Sequence, residues 1–243
     1  MQRSNYLLNR IGGFWRDSFR DVVLIVVSIL IAFTLDAWWS NIRDQRRLER
    51  HLNALIYEFN EADHNLRRDQ NNITRAAAAT RAILEEMGRG KPQSFADSLA
   101  ALFNTSFDAA AMASLGGALS TILSSGDIEL IEDDSLSYLL TQWPLQVERL
   151  NSENAILTAN REQELRMRFV ALGVPESVVA AHLGDWLNLP PTRFRFDPNI
   201  ILRDPGVESM LVARLIRFRF LNSQLDIAIA QADRILARLR RRK

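Results

Sequence analysis

From Val22 the chain reads VVLIVVSILIAFTLDAWW, and no other stretch limits its fold so severely. Up to Leu35 only Ser28 and Thr34 interrupt the apolar run. A helix of about 18 residues rises about 27 Å, which is enough to cross the hydrocarbon core of a bilayer. Both hydroxyls are expected to bond back to their own helix, so neither opposes insertion. Trp38 and Trp39 stand where an aromatic belt meets the headgroups. The run is too long and too aliphatic for most buried core helices. Asp36 and the two tryptophans follow it instead of small residues at a cleavage site, so residues 22–39 read as an uncleaved anchor.

Residues 1–21 mix Tyr6, Phe14, Trp15 and Phe19 with Arg3, Arg10, Arg16 and Arg20. That pattern suits a tail lying in the headgroup region, with Trp15 and Phe19 as anchors and Gly12-Gly13 as its hinge to the span. An acid within a membrane is a functional hypothesis by default, but Asp36 lies within a turn of the tryptophan belt and reaches the interface. Arginines flank the span on both sides, so orientation is nearly balanced. The short basic tail favours a cytoplasmic N-terminus and an exported, periplasmic domain.

Residues 40–243 read as an all-α soluble domain. No Gly or Pro occurs between Phe14 and Met87, so the span is expected to continue into a long helix over about 40–87. Its seam, Leu48, Leu52, Leu55, Phe59, Ala62, Leu66, Asp69, Ile73, Ala76, Thr80, Ile83 and Met87, alternates steps of four and three. Asp69 is its one charged member. A second seam runs from Leu211 through Leu215, Phe218, Asn222, Leu225, Ile229, Ala232, Leu236 and Leu239, in a helix over about 205–241. Asp204 is its expected N-cap and Pro205 its first residue. Two such seams in one chain are expected to pack antiparallel inside a helical bundle; a parallel homodimeric coiled coil is the competing arrangement. Antiparallel packing brings Arg240, Arg241, Arg242 and Lys243 toward Arg43, Arg46, Arg47 and Arg50, a basic cluster suited to anionic headgroups.

Shorter helices fill the middle. Ser94 and Asp97 resemble a capping box. A helix through Leu115, Leu119, Ile122 and Leu123 ends at Gly126. Asp133, Asp134 or Ser135 caps the next, which Pro144 kinks or divides before the chain runs toward Gly173. A short helix starts near Pro175, and Leu189 to Pro198 is an extended loop.

VVLIVVSILIAFTLDAWWSN and ALSTILSSGDIELIEDDSLSYLLTQW together resemble a family of uncharacterised bacterial proteins with one N-terminal span and a helical domain. Departures exist: Arg20-Asp21 replaces the family's Gly-acid pair before the span, and Asp36 and Trp38 stand where amides are common. What the resemblance implies is membrane location and the helical fold; it carries no functional residue over.

Chemical motifs are sparse. Net charge is +1, so nothing in bulk charge argues for nucleic acid. There are no cysteines, which excludes disulfides, thiolate metal sites and a cysteine nucleophile. Lysine occurs only at Lys91 and Lys243, against abundant arginine, which reads as a GC-rich bacterial coding bias. Glu61 and His64 make one i,i+3 pair, where a di-iron bundle needs two pairs and further acids. Ser124-Ser125-Gly126 is a helix end with no strand before it, and Gly116-Gly117 lacks the lysine of a phosphate loop. Phe194-Arg195-Phe196 reads first as a loop clamped onto the bundle; alternatively, its aromatics and arginine suit partner docking. The expectation is a non-enzymatic accessory or scaffold subunit of the bacterial inner membrane, without cofactor or metal. Its partners are lipids and other membrane subunits, for example of a respiratory or photosynthetic complex. A self-associating coiled-coil signalling module is the alternative, so a homo-oligomer stays open. An enzyme with an unrecognised helical site ranks below both.

Overall fold

The computed structural model describes residues 5–89, 96–106, 116–160, 166–174, 197 and 199–241, and for residues 5–22 the path of the helix alone. Every regular element among them is helical: α1 (Asn5–Arg89), α2 (Ala96–Ser106), α3 (Gly117–Ser125), a 3-10 turn (Asp127–Leu130), α4 (Asp134–Asn160), α5 (Arg166–Ala171), α6 (Asn199–Leu202) and α7 (Pro205–Arg241). The chain divides into two compact units, Met1–Asn53 and Ala54–Lys243.

The first unit holds the early part of α1. Ser28 Oγ donates to the Leu24 carbonyl at 2.7 Å and Thr34 Oγ1 to that of Ile31 at 2.8 Å. Each hydroxyl is thereby spent on its own helix. The helix runs unbroken through Gly12-Gly13, where the sequence predicts a hinge. Glycine costs about 1 kcal/mol in a helix interior, and α1 carries both without a break.

In the second unit α1 and α7 pack together, antiparallel. Arg240 donates to Asn60 at 2.8 Å, Arg67 to Asp233 at 3.1 Å, and Gln70 to Asp226 at 2.6 Å. The seven residues from Asn60 to Arg67 match seven back from Arg240 to Asp233, so the register is that of a heptad. Arg67 and Asp233 are about half exposed, so their pair marks register more than it stabilises. The seams do the stabilising. Leu55, Phe59, Leu66, Ile73 and Ile83 are buried from α1, and Leu211, Phe218, Leu225 and Leu239 from α7. Each such side chain contributes about 1.5–3 kcal/mol by leaving water. The apolar face of α1 is therefore filled from within the chain.

Helix α4 lies along α7 in the same antiparallel sense. Gln146 donates to the Gln224 carbonyl at 3.3 Å, and Gln231 to that of Leu139 at 3.0 Å. Pro144 stands inside α4 without dividing it. Its ring removes one backbone bond, and the buried run Leu140, Trp143, Val147 and Leu150 holds the helix on either side. Trp143 meets Phe59 edge to face at 5.1 Å, which ties α4 to α1. At the far end of the bundle Ile83, Phe103, Phe169, Ile201, Val207 and Leu211 share one apolar cluster.

Two aspartates fix helix starts. Asp133 accepts the Leu136 N–H at 3.0 Å and both oxygens receive Arg238 of α7. Asp204 accepts the Val207 N–H at 2.8 Å, and Arg168 of α5 grips both its oxygens. The Arg168 guanidinium holds the Asp204 carboxyl below the usual carboxylate range. A lowered pKa stabilises the fold above the ordinary carboxylate pKa and is lost as pH falls below it. Asp204→Ala removes the cap and is expected to cost about 1–2 kcal/mol at neutral pH, with the deficit shrinking in acid. Thermal melts at pH 7 and pH 3 of the two proteins read this directly. The helix through Leu119 and Ile122 ends at Gly126 in the left-handed region, φ 78°, and the chain after α5 turns at Gly173, φ 69°. The capping box at Ser94, the helix near Pro175 and the loop over 189–196 lie outside the described residues. Helix α1 extends to Arg89, past the predicted end at Met87.

Candidate functional site

An exposed apolar surface belongs to the first unit. Every large apolar side chain from Val23 to Leu35 is exposed, and Phe33 is 68% exposed. This helix is long and apolar enough to cross a membrane. The Trp38 and Trp39 rings stand 6.5 Å apart, both exposed. Trp15 and Phe19 lie on the path of α1, with side chains outside the described residues.

Residues with catalytic overtones are occupied structurally. Glu58 of α1 accepts the Ala118 N–H at 2.8 Å and the Leu119 N–H at 3.4 Å. A carboxylate thus satisfies the orphan donors at the start of α3. A Cβ on Gly116 would fall 1.9 Å from the Glu58 carboxyl carbon, so only glycine admits this approach. The Gly116-Gly117 pair that lacks a phosphate loop's lysine is filled by the protein's own carboxylate. Ser125 Oγ donates to the Ile122 carbonyl and accepts the Asp127 N–H, as a helix-end residue does. Glu61 and His64 are both exposed, and among the described residues no three His, Asp or Glu side chains gather into a metal site.

The interior holds polar groups of its own. Thr80 donates to the Ala76 carbonyl at 2.8 Å, so the 2.7 Å bond between Thr80 and Ser106 has Ser106 as donor. Arg214 of α7 donates through Nε to the Ser106 carbonyl at 2.8 Å, and its guanidinium lies 5.0 Å from the Phe218 ring centre. These contacts join α1, α2 and α7.

Asp69 is the sharper case. It is fully buried in the seam, and its Oδ2 finds no hydrogen-bond partner. Its other oxygen meets Arg68 at 3.5 Å, the limit of a hydrogen bond. Burial pushes the carboxyl above its ordinary range, against the pull of Arg68. The native state then holds the proton more tightly than the unfolded chain, so stability falls as pH rises from the ordinary carboxylate pKa through the raised one. Asp69→Leu is expected to stabilise the protein by about 1–3 kcal/mol at pH 8, and by less at pH 4. Denaturant melts at the two pH values compare the gains; an equal gain at both would refute the burial of charge.

A groove of about 600 Å³ lies between the start of α4 and the end of α7. Arg234, Arg238 and Arg241 line one wall, and Asp134, Ser135, Tyr138 and Leu139 the other. Arg238 is engaged by Asp133. The groove was not legible in the sequence, because it depends on which turn of α4 meets the last turns of α7.

The expected headgroup cluster divides between the units. Arg43, Arg46 and Arg47 are exposed on the first. Arg240 and Arg241 are exposed on the second, and Arg240 pairs with Asn60. Arg242 and Lys243 lie outside the described residues, as do Phe194, Arg195 and Phe196. No family model, curated protein or solved structure matches this chain.

Proposed function

We propose that this protein is a non-catalytic, membrane-anchored accessory subunit that braces a larger membrane assembly of the bacterial inner membrane. The observation that carries the reading is the exposed apolar stretch at Val23–Leu35 in the same helix that supplies a core face of the second unit. An apolar surface of this size is costly in water and at home in lipid or against other membrane helices. Ser28 and Thr34 add no unsatisfied polar group to it. The polar interior is consistent with bracing: Glu58, Ser106 and Arg214 each hold one helix to another.

In the expected topology the N-terminus is cytoplasmic and the domain periplasmic, with Trp38 and Trp39 at the interface. Protease added to spheroplasts should digest a C-terminal tag; a tag protected until lysis would reverse the orientation. The function is tested by affinity purification of the tagged chain from native membranes in mild detergent. A stoichiometric set of membrane proteins is the expected result. Recovery of the chain alone in every detergent would sink the accessory reading.

A self-associating signalling module would dimerise along the seam of α1. The burial of Leu55, Phe59 and Leu66 under the chain's own helices speaks against that geometry.

A further inference from the structure

Helix α7 carries two seams, and the bundle uses one. On its outer face Ala213, Ile216, Phe220, Ser223, Ile227 and Ala230 follow one another by alternating steps of three and four. The same rhythm continues through Arg234, Ala237 and Arg241. All nine are exposed, Phe220 at 62% and Ile216 at 53%. The buried seam through Phe218 and Leu225 lies on the opposite side of the helix. A surface helix that faces only water has no reason to keep a heptad of apolar and small residues on its outer side.

We infer that the outer face of α7 is a docking seam for a helix of a partner protein, apolar where it meets Ile216, Phe220 and Ile227 and acidic where it meets Arg234 and Arg241. This rests on the accessory-subunit reading and names the chemistry of one of its contacts. Large Phe220 and Ile227 alternate with small Ser223 and Ala230, which provides knobs beside holes for an approaching helix. The face is too narrow for a helix lying on lipid, which needs a broad apolar side.

The charges select the occupant. Arg234 and Arg241 occupy seam positions, and among the described residues no carboxylate is bonded to either, whereas Arg238 between them is taken by Asp133. The groove beside them is lined by three arginines and one acid, Asp134, so its lining keeps a positive excess. Guanidinium forks in such a place take carboxylates. A parallel second copy of this chain would set Arg234 against Arg234 and Arg241 against Arg241. An antiparallel copy that set Arg234 against Ala213 would set Arg241 against Gly206, at the positive end of the α7 dipole. Neither supplies an acid on the seam.

The test uses the full chain in detergent micelles and a synthetic helical peptide. The peptide has leucines at heptad positions and glutamates at the two positions that face Arg234 and Arg241; a control carries lysines there. Fluorescence anisotropy should show binding of the glutamate peptide only. Phe220→Asp should weaken it by about tenfold or more, and Arg234→Glu should shift preference to the lysine peptide. Phe220 and Arg234 are exposed, so both variants should keep native helicity. No binding, or equal binding of the two peptides, overturns the seam. So does capture by anionic vesicles that Phe220→Asp abolishes, which would make the occupant a membrane surface. Because the chain has no cysteine, Ser223→Cys supplies a single thiol, and a bis-maleimide that links two copies through it would make the occupant a second copy. In native membranes, partners retained undiminished by Phe220→Asp overturn the seam alone, whereas wild type recovered without partners overturns the accessory reading with it.

Discussion

Arginine at both Ile29 and Leu30 should move this protein from the membrane pellet to the supernatant. Both positions lie near the middle of the apolar stretch and are exposed. A charge at the centre of a spanning helix costs about 2.5–3.5 kcal/mol on insertion scales, so two exceed the margin of a run of this length. Unsubstituted protein should stay in the pellet through alkaline carbonate extraction, and Ile29→Arg with Leu30→Arg should not. The second unit should retain its helical signal, because neither position contributes to its core. If the doubly substituted chain remained in the pellet, the stretch would not be the anchor.

Phe59→Ala should destabilise the second unit by about 3–5 kcal/mol. The ring is 1% exposed and sits edge to face with Trp143. Its loss opens a cavity between α1 and α4 and removes an aromatic pair. Chemical denaturation monitored by tryptophan fluorescence reports both effects, because Trp143 is the probe beside the hole. Phe59→Leu should cost much less, since it restores most of the apolar volume. A loss confined to fluorescence, with unchanged midpoint, would mean that the site repacks.

The two long helices were legible because a heptad pattern needs only one residue type at a regular spacing. Leu55, Phe59, Leu66 and Ile73 are buried where the pattern puts them, and so are Leu211, Phe218 and Leu225. Asp204 before Pro205 and Gly126 after α3 were equally readable, since caps depend on local geometry. Contacts between distant segments were not. Nothing near Gly116 announces Glu58, which lies 60 residues from its hydrogen-bond partner Ala118. The second heptad of α7 was hidden by its composition. Ala213, Ser223 and Ala230 are too small to register as hydrophobic, and Arg234 and Arg241 read as solvated charge until their exposure beside a groove is known.

The caps at Asp133 and Asp204 have a consequence for how the second unit comes apart. Each carboxylate is shared between the first turn of its own helix and an arginine from another element, Arg238 for α4 and Arg168 for α7. A helix in isolation keeps its N-cap and loses the arginine, so its first turn should fray more readily than in the intact protein. The start of α4 is thereby coupled to the end of α7, and the start of α7 to α5. Amide hydrogen exchange should show this as correlated opening: Arg238→Ala should speed exchange at Leu136 while leaving the middle of α4 protected. Fraying at one terminus is thereby felt at another, so the start of α4 and the end of α7 should open together.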